Sequence, residues 1–422
     1  MANEARYPDD VGFDAVLAGR LVEPVFQPVV ALADRRPVGF EALARGPEGR
    51  FHEATALFAA AARAGRSAEL DWLCADQALR RFGEAGFPGL ALFVNLNPDT
   101  LATDAPEELV EAYEQLRQER DVVLEITERS VMGQPARLLD AVLDARRRTA
   151  RIALDDIGTE PASLAAMPLI NPDIIKLDRS IIQSRSEAWE VSRVVNAVLD
   201  EAQRRGAQIL AEGIERPEHV AVARSLGATL GQGWLFGRPG PLPSAVDPSP
   251  EPLARVERYH PRVSDTTPFD VLAETAQVAP TPTDLYASMA AHVENQAAQT
   301  ANPAILAVNL GDDGLGDAAR MRYSYLTNRG IDVFLFGTRV SPTPGGRIRG
   351  VTLDHDDVLA RERTVLFAGT RYGSGAFGRR PTHDRGDDSL DAGTCYDAEC
   401  VIEAMLALVG RLPAMSTDTA PS

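Results

Sequence analysis

Carboxylate, amide and lysine side chains recur at the ends of successive apolar runs in the first half of the chain. One acidic residue after a strand is usually a solvated loop edge, but seven runs that end this way in order are hard to ascribe to chance. The pattern indicates one polar site assembled from several strands. Its residues are Glu41, Asn95, Glu125 with Glu128, Asp155 with Asp156, Lys176, Glu212 with Glu215, and Gln232.

The composition of this set favours a particular kind of metal. It contains carboxylate and amide oxygens but no histidine or cysteine, and such hard donors suit Mg²⁺ or Mn²⁺ better than zinc. So many carboxylates at one mouth would repel each other without cations. Two divalent ions would neutralise them, and two ions are the usual arrangement for in-line hydrolysis of a phosphodiester.

Lys176 is the single lysine among 43 basic residues, so arginine replaces lysine at every other basic position. Lysine is a compact point charge, whereas arginine is a wide planar fork. A lysine beside metal ions can orient or deprotonate water, or offset charge on an attacked phosphate. Chance survival of one surface lysine is the alternative, and the polar neighbours favour the catalytic interpretation.

The elements that must position these residues follow an alternating pattern. Helix-like stretches separate most of the apolar runs, which favours parallel crossovers. This predicts an α/β fold, a (β/α)₈ TIM-like barrel, with its site at the carboxyl ends of the strands; a doubly wound open sheet is the alternative. The runs are LVEPVFQPVVAL, RPVGFEALARG, LALFVNLN, DVVLEITE, RIALDDIG, PDIIKLDR, AQILAEGI and ATLGQGWLFG.

Bulk properties exclude several classes of protein. A net charge of −18 argues against binding a nucleic-acid polymer, which needs a basic face. The N-terminus MANEARYPDD lacks an apolar core, and no stretch approaches the roughly 20 apolar residues that span a bilayer. Three cysteines cannot form a disulfide framework. We therefore expect a cytoplasmic protein without membrane insertion.

The 422 residues are enough for two domains. The pattern predicts a barrel over residues 14–240, a proline- and serine-rich linker over 241–266, a second, smaller α/β domain over 267–412, and a disordered tail over 413–422.

Across residues 14–240 the chain resembles the EAL-domain cyclic-di-GMP phosphodiesterases. The resemblance depends on an ordered series of motifs and not on the letters EAL alone. The motifs are FQP at 26–28, EALAR at 41–45, VNLNP at 94–98, LEITE at 124–128, DDIGT at 155–159, IKLD at 175–178, AEGIE at 211–215 and QGWLFGRP at 232–239.

The resemblance implies hydrolysis of cyclic di-GMP to linear pGpG with two Mg²⁺ or Mn²⁺ ions, in a homodimer formed through the barrel. Lys176 would assist the attacking water, with Glu212 as a metal or general-base partner. Glu128 would brace the loop after the fifth strand, and Glu215 would either support the site or begin a helix. The metal ligands would be Glu41, Asn95, Glu125, Asp155 and Asp156, and the substrate-binding residues Gln27, Arg45 and Gln232.

One loop departs from the family pattern. The family has DDFGTGYSSL where this chain has DDIGTEPASL, so Glu160 replaces a glycine and Pro161 an aromatic residue. In the family this loop organises the second metal and couples activity to dimerisation. The change keeps a second hypothesis open, a non-catalytic cyclic-di-GMP receptor that signals to a protein partner. A pure scaffold is disfavoured because the acidic residues and Lys176 are retained.

The C-terminal segment, about 267–412, is loosely similar to the DICT sensory domain. The similarity lies in MRYSYLTNRGIDVFLFG, preceded by AILAVNL and followed by TVLFAG. It implies a sensory or regulatory role, and it leaves the ligand open.

Overall fold

The computed structural model describes residues 11–412 except 102, 128–134, 149, 159–163, 166, 184–187, 251–252, 255–265, 301–302, 343, 345–347, 370–371 and 382–387. Within these residues, eight strands close into a barrel in chain order, which confirms the predicted barrel over the open sheet. Each strand falls within one of the apolar runs. The strands are β1 (Glu23–Ala31), β2 (Pro37–Arg45), β3 (Ala91–Asn95), β4 (Val122–Thr127), β5 (Arg151–Ile157), β6 (Ile174–Leu177), β7 (Gln208–Ala211) and β8 (Leu230–Gln232).

Helices surround the barrel and cover its strands. The longest, α3, turns Leu70, Leu79 and Phe82 inward, and Gly86 ends it in a left-handed conformation at φ +69°. The helices are α1 (Phe13–Ala18), α2 (Ala54–Arg63), α3 (Ser67–Ala85), α4 (Pro98–Leu101), α5 (Glu107–Leu116), α6 (Pro135–Arg147), α7 (Met167–Ile170), α8 (Arg179–Gln183), α9 (Ala188–Arg205) and α10 (Pro217–Ser225).

Strand β1 departs from the expected parallel arrangement. It pairs antiparallel with both β2 and β8, whereas β2 to β8 pair parallel. The connection between β1 and β2 is a short turn, and a parallel crossover needs a dozen residues or more. The turn therefore makes β1 and β2 a hairpin, in which Gln27 lies opposite Glu41.

The C-terminal residues form a mixed sheet with helices packed on both of its faces, which gives three layers. Residues alternate along the strand Ala304–Asn309, so Ile305 faces α11 and α14 while Leu306 faces α12 and α13. The sheet order is β12-β11-β10-β13-β14-β15-β9. The elements are α11 (Pro268–Ala273), β9 (Ala279–Pro282), α12 (Thr283–Gln299), β10 (Ala304–Asn309), α13 (Asp317–Asn328), β11 (Ile331–Gly337), β12 (Arg349–Thr352), a 3₁₀ turn (Val358–Arg361), β13 (Glu362–Gly369), β14 (Gly373–Arg379), β15 (Ser389–Cys395) and α14 (Ala398–Val409).

Helix α14 joins this sheet to the barrel. It is apolar around most of its circumference, because one side packs on β13 and β14 and another contacts α6 and α7 of the barrel. At its start, Glu399 pairs with Arg205 of α9 at 2.8 Å. One continuous hydrophobic cluster therefore runs from the barrel helices into the C-terminal sheet.

The chain that leaves the barrel crosses its amino-terminal end. Leu253 is 4% exposed and belongs to the apolar cluster inside the barrel. The backbone of Ala254 is held on both sides, since its carbonyl accepts from Arg151 at 2.6 Å and its N–H donates to Gln208 at 2.7 Å. Arg151 and Gln208 begin β5 and β7, so Leu253 closes the end of the barrel opposite to the predicted site.

Across the described part of the chain, the helices are all too short or too polar to cross a lipid bilayer.

Candidate functional site

The carboxyl ends of the strands bring most of the predicted residues together. Glu41 comes from β2, Glu125 from β4, Asp155 from β5 and Lys176 from β6, and Glu212 directly follows β7. Glu125, Asp155 and Lys176 lie near the carboxyl ends of parallel strands, whereas Glu41 lies in the middle of β2. Ion pairs with Lys176 bring all five side chains together at the mouth.

Lys176 lies at the centre of this cluster and is 1% exposed. Its Nζ is 2.8 Å from Glu125 Oε1, 2.9 Å from Glu212 Oε1, 3.0 Å from Asp155 Oδ1 and 3.6 Å from Glu41 Oε2. Burial alone lowers the pKa of Lys176, but the four carboxylates outweigh burial and hold that pKa well above its ordinary value. Lys176 is therefore a buried ammonium ion, and no arginine fork would fit these four contacts.

The carboxylates differ in how strongly the protein stabilises their charge. Burial and the charge of Glu41 raise the pKa of Glu125 well above its ordinary value, and burial raises the pKa of Glu212 to about 8. Burial also acts on Glu41, but Lys176 and hydrogen bonds from Gln232 and Asn95 outweigh it and lower its pKa. Burial and mutual repulsion thus oppose the ionisation of Glu125 and Glu212, so further cations would stabilise the group with all four carboxyls charged.

The donor set fits divalent metal ions. Carboxylate oxygens of Asp155, Asp156 and Glu212 lie within 4.8 Å of one another. Apart from the ion pair with Lys176, neither oxygen of Glu125 accepts a hydrogen bond from a described residue, although both are buried. Buried acceptors without donors are costly unless a cation meets them. Oxygen-only ligands are those that Mg²⁺ and Mn²⁺ prefer.

The two adjacent aspartates reach the mouth through an unusual backbone. Successive side chains of a strand point to opposite faces, yet Asp155 and Asp156 both contribute to the acidic group. Asp156 has φ +61°, its N–H donates to Asp155 Oδ1 at 2.9 Å, and the register of β5 with β6 shifts between Leu154 and Ile157. This left-handed conformation, which aspartate tolerates better than most residues, redirects the second carboxylate.

Amide side chains support the acidic cluster from β1, β3 and β8. Gln232 donates to Glu41 Oε2 at 2.7 Å and to Gln27 Oε1 at 3.3 Å, and Asn95 donates to Glu41 Oε1 at 3.0 Å. Gln27 in turn donates to the carbonyl of Gly237 at 3.1 Å. Two amide donors therefore orient Glu41, and Gln27 links β1 to the loop after β8.

The remaining predicted residues lie further out. Arg45 is the last residue of β2 and lies four residues beyond Glu41 on the same face of the strand. Its side chain donates to the carbonyl of Ala44 at 2.8 Å. The side chain of Glu215 is exposed just before α10, and its backbone N–H donates to the ring of His219 at 3.2 Å. Glu128, Glu160 and Pro161 lie outside the described residues.

A cavity of about 310 Å³ opens beside Glu41 and Asn95. Its other lining residues include Phe58 and Cys74, from α2 and α3, which the sequence pattern did not single out. In the sequence, Phe58 and Cys74 resemble ordinary apolar residues of a helix. Their place in the cavity depends on neighbours from distant parts of the chain, so no sequence pattern indicates it.

Fold and site together define an α/β barrel with an oxygen-donor acidic cluster around one buried lysine at its carboxyl mouth. Residues 13–239 match the family model of the EAL domain. The chain belongs to the EAL domain family.

Similar proteins share this part of the chain. The probable cyclic di-GMP phosphodiesterase PdeB of Escherichia coli is 29% identical over 219 residues, which are 50% of this chain and 42% of PdeB. The cyclic di-GMP phosphodiesterase NbdA of Pseudomonas aeruginosa is 30% identical over 233 residues, 51% of this chain and 29% of NbdA. The chain thus spans less than half the length of either relative. Among solved structures, a calcium and cyclic-di-GMP complex of Klebsiella pneumoniae BlrP1 is similar, with a TM-score of 0.47, 26% identity and coverage of 53% of this chain and 56% of that chain.

Proposed function

We propose that this protein is a metal-dependent phosphodiesterase that opens cyclic di-GMP to linear pGpG. The observation that carries the proposal is the buried ammonium of Lys176 among four carboxylates at the barrel mouth. PdeB and NbdA are named for activity on the same nucleotide. The site, and not the barrel alone, supports the activity, because barrels host many chemistries.

Each residue of the site has a role in this proposal. Glu41, Asn95, Glu125, Asp155 and Asp156 would hold two Mg²⁺ or Mn²⁺ ions, which when bound supply Lewis acidity and lower the pKa of water. Lys176 keeps the carboxylates together and offsets charge that develops on the phosphate.

Burial raises the pKa of Glu212 to about 8, so Glu212 would accept the proton of the attacking water in its ionised form, which bound divalent cations would favour. Oxygen from this water bonds to phosphorus, the P–O3′ bond breaks, and O3′ leaves with a proton from solvent. Gln27, Arg45 and Gln232 would bind the substrate, Arg45 through a phosphate.

The test is incubation of the full-length protein with cyclic di-GMP and Mg²⁺ or Mn²⁺, followed by chromatography of the nucleotide. We expect pGpG from the wild type and none from Glu41→Ala. Asp76→Asn is the matched control, because Asp76 is also a buried acid but pairs with Arg20 and Arg80 away from the mouth. Binding of cyclic di-GMP without product would support the alternative receptor, which signals to a protein partner.

We further propose that residues 267–412 form a DICT-like sensory domain that regulates the barrel of residues 14–240 across the linker 241–266. In support, α14 packs on α7, the helix that follows the Asp155–Asp156 segment, and on α6. The turnover of the full chain should therefore differ from that of a chain ending at residue 254. Equal turnover of the two proteins would contradict regulation through this contact.

Homodimerisation through the barrel and a cytoplasmic location complete the proposal. Light scattering of the purified chain measures the oligomeric state, and a monomer at micromolar concentration would contradict the dimer.

A further inference from the structure

The position of Asn95 depends on the chain that follows it as well as on its strand. Asn95 ends β3, and the N–H of Leu96 donates to the carbonyl of Glu125 at 3.2 Å. The chain then turns into α4, where the N–H of Thr100 donates to the carbonyl of Asn97 at 2.9 Å. Movement of this turn would move the Asn95 amide, which is hydrogen bonded to Glu41.

A buried aspartate on α3 holds the turn. Asp71 is 5% exposed and accepts a hydrogen bond from Thr100 Oγ1 at 2.5 Å. The backbone N–H of Asn97 also acts on this carboxyl, since it lowers the pKa of Asp71. Thr100 itself is 1% exposed, so both partners are enclosed between α3 and α4. The hydrogen bond from Thr100 to Asp71 ties α3 to α4, the short helix that begins after Asn97.

The buried carboxyl of Asp71 lowers the stability of the fold, which argues against a role in packing alone. Burial raises the pKa of the Asp71 carboxyl to about 6, against the two hydrogen bonds that lower it. Its neighbours on the inner face of α3, such as Leu70 and Ala75, are apolar. An apolar residue of similar size would avoid this cost.

We propose that Asp71 is a positioning residue for the metal centre, because it anchors the turn that aims the Asn95 amide beside Glu41. The inference rests on the proposed function, since it assumes that these residues hold metal ions. Asp71 acts through Thr100, whose backbone N–H donates to the carbonyl of Asn97, and does not itself touch the substrate. No described contact of Asp71 reaches the acidic cluster directly, so its effect must pass through the turn.

The experiment compares four full-length variants with the wild type. Thr100→Val removes the donated hydroxyl, Thr100→Ser restores it, and Asp71→Asn removes the charge of the acceptor. Asp76→Asn is the control, since Asp76 is a buried acid on the same helix whose partners are Arg20 and Arg80. Each protein is titrated with Mn²⁺ by calorimetry, then assayed for kcat, KM and melting temperature.

We expect Thr100→Val and Asp71→Asn to weaken Mn²⁺ binding about tenfold or more, as loss of a group that orients a metal ligand usually does. Their kcat should fall more than their KM changes, because the substrate contacts are intact. Thr100→Ser should bind Mn²⁺ like the wild type. Asp76→Asn should melt at a lower temperature and keep the wild-type Mn²⁺ affinity.

Two outcomes would overturn the inference in distinguishable ways. Wild-type Mn²⁺ affinity in Thr100→Val, with a lower melting temperature, would leave Asp71 a purely structural residue while the proposed function stands. A wild type that binds no Mn²⁺ would overturn the metal centre itself. If Asp71→Asn fails to fold, the Thr100→Val and Thr100→Ser pair decides the question.

Discussion

The Nζ of Lys176 lies 2.8 Å from Oε1 of Glu125, and both side chains are almost fully enclosed by the barrel. Removal of either partner of such a buried pair is strongly destabilising, because the other charge is left buried without water or a counter-ion. Here the same ammonium also meets Asp155 and Glu212. Lys176 therefore holds together the group that we propose as a metal centre.

Lys176→Arg should retain the charge and lose hydrolysis. The planar guanidinium cannot occupy one enclosed point between four carboxylates. We expect kcat to fall by about a hundredfold or more, in the range typical of lost electrostatic stabilisation. Stopped assays of pGpG formation measure the change. Turnover close to that of the wild type would remove Lys176 from the mechanism.

Glu41→Ala should abolish turnover and weaken the metal site. Glu41 accepts hydrogen bonds from Asn95 and Gln232, so its loss also frees both amides. Calorimetry with Mn²⁺ should show an affinity loss of at least the ~10-fold seen for supporting residues. Circular dichroism should show the wild-type fold. Unchanged Mn²⁺ affinity would mean that Glu41 is not a ligand.

The pKa of Asp71 predicts a pH dependence of stability. Because burial raises this pKa from 3.8 to about 6, the folded state binds more protons than the unfolded state between these values. The stabilising contribution of Asp71 to the free energy of unfolding is thus fully present below pH 3.8. As the pH rises through 6, this contribution falls by about 3 kcal/mol.

Urea unfolding at several pH values between 4 and 7 tests this dependence. The free energy of unfolding of the wild type, minus that of Asp71→Asn, should fall across the window. A difference that stays constant with pH would show that Asp71 is ionised in the folded protein throughout.

Leu253→Ala should destabilise the full chain although residue 253 lies beyond the EAL match. Its side chain is buried inside the amino-terminal end of the barrel. The expected loss in the free energy of unfolding is about 2–4 kcal/mol. Leu285→Ala is the control, since Leu285 is 53% exposed and should lose less than about 0.5 kcal/mol. Equal effects of the two substitutions would contradict insertion of Leu253.

Restoring the family pattern after the paired aspartates should raise turnover. Glu160→Gly with Pro161→Tyr returns the backbone freedom of glycine to the loop. The metal ligands are unchanged, so kcat should rise more than KM changes, above all at low Mn²⁺. If the wild type already equals the restored variant at low Mn²⁺, the loop tolerates Glu160 and Pro161.

The sequence alone determined the barrel and most members of the site. Apolar runs of strand length separated by helices predicted a barrel of parallel strands, which the structure confirms except for the antiparallel strand β1, and a barrel gathers the strand ends at one mouth. The residue types then indicated the chemistry, since oxygen donors around one lysine suit divalent ions. Glu41, Glu125, Asp155, Lys176 and Glu212 were predicted in this way, and the structure places all five in one cluster.

Only the tertiary structure decided the features that depend on contacts between distant residues. The left-handed backbone of Asp156, the insertion of Leu253 and the hydrogen bond between Asp71 and Thr100 have no periodic signal in the sequence. Local patterns report which face of a helix or strand is apolar, but they do not report which remote partner a buried polar group will meet. That partner is set by chain topology, which brings α3 beside α4 and the end of the barrel beside Leu253.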